Sequence, residues 1–147
     1  MAGLLIIIVC VFLWSGFICA ISFMESWLKF RAPGLTMPVG LSIGKLVFRA
    51  LNRVEWFFTV VIIINIFLNN SIIIFTDKAW FTLIVITLLI QTGWLLPALN
   101  YRANAIIDGK SLPGSRLHWY FVIAEFVKLL SLILFGVSLL KLIIELK

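Results

Sequence analysis

Four stretches of this chain are apolar enough and long enough to cross a lipid bilayer. Three of them, residues 1–24, 56–76 and 79–101, carry no charged side chain, and the fourth runs from Trp119 to Leu140. A helix needs about 20 such residues to cross a hydrocarbon core of about 30 Å. The sequence therefore predicts four transmembrane helices, over about 4–25, 54–75, 79–100 and 118–140.

The overall composition agrees with a polytopic membrane protein. The chain is 63% hydrophobic and only 12% charged, whereas soluble domains are roughly 45–50% apolar and about 25% charged. Continuous apolar runs indicate helices, because strands of a membrane barrel would alternate apolar and polar residues. We expect an all-α fold, with residues 1–147 forming a single domain built as a four-helix transmembrane bundle.

The net charge of +6 is carried mainly at one end of the predicted spans. Eight basic residues lie in the first and third connections: Lys29, Arg31, Lys45, Arg49, Arg53, Arg102, Lys110 and Arg116. Lys78, Lys141 and Lys147 lie at the opposite end. The positive-inside rule then makes both of these connections cytoplasmic and leaves both termini outside. This arrangement favours membrane lipids as partners and excludes nucleic acid.

The connection before the second span has an amphipathic pattern of its own. Its apolar positions follow a helical period, and they are Ile43, Leu46, Val47, Ala50, Leu51 and Val54. The opposite face includes Lys45, Arg49 and Arg53. This pattern predicts a basic helix over about 38–53 that lies in the cytoplasmic interface. Simple anchoring and a site for a lipid headgroup or another anion both remain open.

Two ionisable residues, Glu125 and Lys128, lie inside the fourth span. A charged side chain at the centre of a bilayer costs about 2.5–3.5 kcal/mol even by insertion measurements, so such residues face a protein interior or a cavity. Counting about 1.5 Å per residue from the cytoplasmic ends places Asn65 and Gln91 at a similar depth. Either these four residues form a satisfied polar core, or they line a cavity for a small or lipid-like ligand.

Other site chemistry has little support in the sequence. His118 is the one histidine, so a bis-histidine haem site or a histidine-rich metal site cannot form within one chain. Cys10 and Cys19 are nine positions apart on opposite helix faces and belong to no C-x-x-C motif. We therefore predict no metal and no resident cofactor.

Two segments resemble a known group of small proteins. They are residues 25–34, ESWLKFRAPG, and residues 40–48, GLSIGKLVF. Both are similar to uncharacterised four-helix proteins of the bacterial inner membrane. The resemblance implies the same membrane for this chain and carries no activity with it.

A second resemblance covers the whole chain in outline. The residues that lead into the second span, Arg49-Ala50-Leu51-Asn52-Arg53-Val54-Glu55, resemble the motif of membrane-associated proteins of eicosanoid and glutathione metabolism. The spacing from arginine to asparagine is one residue shorter here, and no proline follows the glutamate. The resemblance implies glutathione binding by Arg49, Asn52 and Glu55.

Three functional hypotheses follow from these observations. The first is a non-catalytic membrane protein, oligomeric or bound to a membrane partner, whose polar core admits a small ligand. The second is a glutathione-dependent or lipid-modifying enzyme that uses Arg49, Asn52 and Glu55 at the cytoplasmic interface, with glutathione as its cofactor. The third is a small oligomeric transporter or channel that uses Glu125 and Lys128 as a gated pair.

Overall fold

A computed structural model describes residues 2–68 and 75–145, and these residues are almost entirely helical. Four long helices follow one another: α1 (Ala2–Arg31), α2 (Met37–Leu68), α3 (Lys78–Ile107) and α4 (Leu117–Glu145). Each is long and apolar enough to cross a membrane. The described residues contain no strand, so the predicted all-α class is confirmed.

The region before the second predicted span differs from the expectation. We predict an interfacial helix over about 38–53 that is separate from a span beginning near residue 54. The structure has a single unbroken helix, α2, over both. No proline or glycine lies between Lys45 and Leu68, so nothing in the backbone interrupts the helix there. The last part of that predicted span, residues 69–74, lies outside the described residues.

The other helices extend further than the apolar runs do. α1 continues to Arg31 and α3 to Ile107, because the residues that follow the apolar runs include charged side chains but no proline or glycine. A helix begins at Phe75 and runs on into α3, so residues 76–78, which lie between two of the predicted spans, are also helical. The connections at the predicted cytoplasmic end each contain a glycine with positive φ, Gly34 (φ 78°) and Gly109 (φ 79°), which is the conformation that ends helices.

Two helices contain a π-helical segment. In α1 it covers Cys19–Glu25, and in α3 it covers Gln91–Leu95. Pro97 follows the second segment closely; it lacks an N–H and its ring crowds the preceding turn, which favours such a local distortion. π-helical turns occur frequently at functional sites. The segment in α3 begins at Gln91, which makes the interior near Gln91 a candidate site.

The helices pack in a defined order. α1 contacts α2 and α4, while α3 contacts α4 and, through Leu96–Ile107, also α2. The main apolar core draws on all four helices, and its most buried members include Ile7, Val11, Trp14, Ile18, Ile62, Ile84, Leu88, Leu132, Phe135 and Leu139. A smaller cluster, formed by Leu95, Leu96 and Phe121, lies nearer the end at which α2 and α4 begin.

Large apolar side chains also cover the outside of the molecule. Examples are Phe57, Phe67, Phe126 and Ile144, which are between 59% and 79% exposed. Monomers in water rarely expose large continuous apolar patches, whereas hydrocarbon tails are a favourable environment for this surface. The outer surface therefore suits the lipid phase of a membrane.

The contact of α1 with α4 at Gly136 provides a test of this packing. A Cβ atom at Gly136 would lie 3.0 Å from Phe12 and 3.1 Å from Val11, whereas one at Gly16 would meet nothing within 4 Å. We expect Gly136→Leu to destabilise the fold by about 1–3 kcal/mol or more through overpacking. The measurement is thermal unfolding in a mild detergent.

Gly16→Leu is the matched control, since it makes the same chemical change on an open helix face. It should unfold at the wild-type temperature. Equal stability of the two variants would contradict the packing of α1 on α4 at Gly136.

Candidate functional site

The ammonium group of Lys128 lies at the centre of the polar interior. The side chain is 0% exposed. Its Nζ lies 2.5 Å from Glu55 Oε1, 3.1 Å from Glu125 Oε1 and 2.5 Å from Gln91 Oε1. An ammonium group has three hydrogens and no acceptor, so the three oxygen neighbours compensate the buried cation.

Two further hydrogen bonds complete the arrangement. Trp14 Nε1 donates to Glu55 Oε1 at 3.0 Å, and Gln91 Nε2 donates to Glu125 Oε1 at 2.7 Å. We call the five residues Trp14, Glu55, Gln91, Glu125 and Lys128 the core charge cluster. Because α1, α2 and α3 each supply one member and α4 supplies two, the cluster links all four helices.

The cluster is closed to solvent. Glu55, Gln91 and Glu125 are only 1–2% exposed. Removing a charge from water costs several kcal/mol per ion, and only close pairing with further hydrogen bonds offsets that cost. Each contact in the cluster therefore matters more for stability than a surface ion pair would.

One carboxylate oxygen of the cluster has no partner. Among the described residues, the buried side-chain oxygens without a hydrogen bond are Glu125 Oε2 and Ser22 Oγ. Ser22 lies in the π-helical segment of α1. In contrast, Glu125 Oε1 accepts from both Lys128 and Gln91. The hydrogen bonds to Glu125 are thus concentrated on one of its two oxygens.

The structure brings together three of the four residues predicted to lie at one depth. Gln91, Glu125 and Lys128 are in direct contact. Asn65 is elsewhere: its Nδ2 donates to Val61 O at 2.9 Å, and it lies ten residues beyond Glu55, about 15 Å further along α2. The depth prediction for Asn65 is wrong because it takes Glu55 as the membrane edge, whereas Glu55 itself lies at the level of Lys128.

The residues predicted to bind glutathione are separated. Arg49 is exposed, and Asn52 Nδ2 donates to Thr92 Oγ1 at 2.9 Å. Glu55 points into the core, where it contacts Lys128 and Trp14. These three side chains therefore face three different surroundings and do not share one site in this structure.

Sequence reasoning missed the part that Trp14 and Glu55 play in the cluster. Two signals point to them in retrospect. Tryptophan is enriched at membrane interfaces. Trp14 lies instead in the middle of an apolar run, so its N–H needs a partner within the protein. A buried lysine likewise needs an acid from another helix, and Glu55 lies close to the start of the second apolar run.

A second feature is a half-open cleft, with a cavity volume of about 120 Å³, between the helices at the end where α2 and α4 begin. We call it the basic cleft. Its walls are mostly apolar, and its polar lining includes Lys29, Lys45, Asn100 and His118. Gly44 also lines it, and a Cβ atom there would lie 2.9 Å from the ammonium of Lys29.

Lys29 is held in place within this cleft. Its side chain is 10% exposed, and its Nζ lies 3.3 Å from Glu25 Oε1. The same ammonium lies 5.5 Å from the ring centres of Phe30 and Phe48, within the range of a cation–π contact. Lys45 Nζ donates to Asn104 Oδ1 across the cleft mouth.

An apolar layer separates the basic cleft from the core charge cluster. Counting along the helices puts the cluster about 15–17 Å deeper than Gly44 and His118 at the cleft, and about 8–11 Å deeper than Leu96 and Phe48, which also line it. Between the two levels lie Leu51, Leu95 and Phe121, all buried. The molecule thus contains two distinct polar features rather than one continuous cavity.

Comparison of this chain with protein-family models, with curated proteins and with solved structures finds no match. The two resemblances therefore remain predictions. A functional assignment has to come from the two polar features described above.

The hydrogen bond from Trp14 to Glu55 provides a test of the cluster. Trp14→Phe keeps an aromatic ring, which stacks on Phe58 at a centroid distance of 6.2 Å in the wild type, but it removes the N–H donor. We expect a loss of about 1–3 kcal/mol, because a hydrogen bond to a buried charged group disappears. Denaturant unfolding in detergent measures this loss.

Trp94→Phe is the matched control, since Trp94 is 55% exposed. It makes the same substitution on the outer surface and should leave stability unchanged. If both variants lose equal stability, the Trp14 bond does not contribute to the cluster.

Proposed function

We propose that this chain is an integral protein of the bacterial inner membrane that binds an anionic phospholipid in the basic cleft. Its four helices would span the membrane as a bundle, with both termini outside and the first and third connections in the cytoplasm. The cleft would then open at the level of the cytoplasmic leaflet. No catalytic role is assigned to any residue.

The position of Lys29 carries this proposal. A phospholipid presents a phosphate beside long apolar chains, and the basic cleft combines an ammonium group with apolar walls. Because Lys29 already lies against Phe30 and Phe48, little side-chain freedom remains to be lost when it meets a phosphate. Lys45 provides a second cation on the cleft lining.

The charge distribution supports the proposed orientation. Eight basic residues belong to the end that contains the cleft, against two acidic residues, Glu25 and Asp108. A juxtamembrane basic residue contributes about 1 kcal/mol of attraction to anionic lipid on the cytoplasmic leaflet. The same charges that orient the chain would therefore also enrich anionic lipid around the cleft.

The glutathione-dependent enzyme is less well supported by the geometry. Glutathione is hydrophilic throughout, whereas the cleft walls are mostly apolar. In addition, Arg49 is exposed while Glu55 is already engaged with Lys128. The phospholipid hypothesis needs no rearrangement of the core charge cluster.

Association with further copies of this chain remains a prediction. Native mass spectrometry of the protein extracted gently from its membrane gives the number of subunits and any retained lipid together. Retained anionic lipid would support the proposed function, and detection of monomers alone would rule out a pore formed by several copies.

The proposed orientation predicts which positions react with a thiol reagent that does not cross the membrane. Single cysteines at Ser111 and Lys78, both exposed, are introduced after replacement of Cys10 and Cys19 by serine. We expect Ser111→Cys to react only in inverted membrane vesicles and Lys78→Cys to react in intact spheroplasts. The reverse pattern would contradict the orientation.

The lipid hypothesis predicts a headgroup preference that depends on Lys29. Binding of dioctanoyl phosphatidylglycerol and of dioctanoyl phosphatidylcholine is measured by calorimetry in dodecyl maltoside. We expect tighter binding of the anionic lipid. We also expect Lys29→Met to weaken that binding about tenfold, equivalent to about 1.4 kcal/mol.

Lys110→Met is the matched control, because Lys110 is an exposed lysine that does not line the cleft. It should bind the lipid as the wild type does. Gly44→Leu tests the same site without changing the charge, since the added side chain would displace the Lys29 ammonium. Equal affinity for the two lipids, or wild-type binding by Lys29→Met, would refute the proposal.

A further inference from the structure

The charges in the core charge cluster do not balance. Within the described chain, the buried ionisable groups of the cluster are two carboxyl groups, on Glu55 and Glu125, and one ammonium, on Lys128. The other members facing them, Trp14 from α1 and Gln91 from α3, are neutral. With every group ionised, the cluster would carry a net charge of −1 in an interior with no access to water.

A single uncompensated charge is unfavourable in such an interior. An isolated buried ion is so poorly solvated that the group normally becomes neutral instead. Because the cluster lies at the middle of an apolar helix assembly, lipid on the outside provides no compensating solvent. One positive charge is therefore missing, and a proton on one carboxyl group is the smallest species that supplies it.

The geometry distinguishes the two carboxyl groups. Glu55 Oε1 lies 2.5 Å from the ammonium of Lys128, whereas Glu125 Oε1 lies 3.1 Å from it. Glu55 also accepts the hydrogen bond from Trp14. Glu55 is thus the closer ionic partner, and Glu125 is the carboxyl group in excess.

The two oxygens of Glu125 have different surroundings, as the carbonyl and hydroxyl oxygens of a neutral carboxylic acid would. Oε1 accepts hydrogen bonds from Lys128 and Gln91, as a carbonyl oxygen does. Oε2 is buried and has no partner. A buried group without a partner costs more when it is charged, so an uncharged hydroxyl group is favoured there over an ionised oxygen.

We propose that the core charge cluster is a binding site for one proton, and that Glu125 Oε2 holds it at neutral pH. The proton comes from solvent water and forms an O–H bond on the carboxylate, so the net charge of the cluster changes from −1 to 0. Glu55 and Lys128 remain an ion pair. This site is independent of lipid binding in the basic cleft.

Infrared spectroscopy tests the proposal directly, because a protonated carboxyl group has a C=O stretching band at higher frequency than the amide band. The protein is studied in dodecyl maltoside, which contains no carbonyl group, after removal of phospholipid, whose ester groups absorb in the same region. We expect a carboxylic acid band in the wild type at neutral pH that shifts in D₂O. Absence of this band in the wild type would overturn the proposal.

Two isosteric variants identify the residue. Glu125→Gln leaves one carboxylate against one ammonium, so the band should disappear while the unfolding temperature stays at the wild-type value. Glu55→Gln should also lose the band, because Glu125 must then ionise to pair with Lys128, and its unfolding temperature should fall by several degrees. Persistence of the band in Glu125→Gln, or a larger loss of stability in that variant than in Glu55→Gln, would place the proton elsewhere and refute the assignment.

Discussion

The need to partner one buried ammonium group shapes the interior of this protein. Lys128 has no exposed surface; its ammonium group donates hydrogen bonds to Gln91 and Glu125 and forms an ion pair with Glu55. In hydrocarbon no solvent could take the place of these partners. Each helix that packs in the core contributes one of the groups that contact Lys128 or its carboxylates, so the cluster determines the mutual rotation of all four helices.

Apolar packing provides close contact but little directional preference in a membrane. Lipid tails are as apolar as leucine, so helices associate there through van der Waals packing and interhelical hydrogen bonds. Gly136 allows α4 to approach Phe12 and Val11 of α1 closely. The core charge cluster then selects one register, because a shift of one residue on α2 would turn Glu55 by about 100° away from Lys128.

The two polar features differ in their exposure to solvent, and an apolar layer lies between them. Leu51, Leu95 and Phe121 are buried between the basic cleft and the cluster. Above the layer, cations line an open cleft whose walls suit acyl chains. Below it, the charged side chains are shielded from water. The proposed lipid site and the proposed proton site thus lie at separate levels of the same helices.

Part of the candidate site could be predicted because ionisable residues in an apolar run must face the interior. That argument selected Glu125 and Lys128, and helix geometry added Gln91. It failed for Asn65 because the depth of that residue was counted from Glu55, which was taken as the edge of the membrane. α2 begins at Met37, well before the apolar run. Glu55 therefore lies near the middle of this helix rather than at its end.

The sequence by itself determined the class of this protein: long apolar runs require helices in a membrane, and basic connections favour one orientation. It could not determine which acid meets Lys128, since that depends on where each helix starts and how it is rotated against its neighbours. Only the tertiary structure decided that Glu55 joins the cluster, that Trp14 supports it, and that Arg49 does not. The reason is that hydrophobicity is a property of a whole helical segment and is visible in the sequence. A buried ion pair requires two atoms within about 3 Å of each other, and that distance depends on how the helices pack.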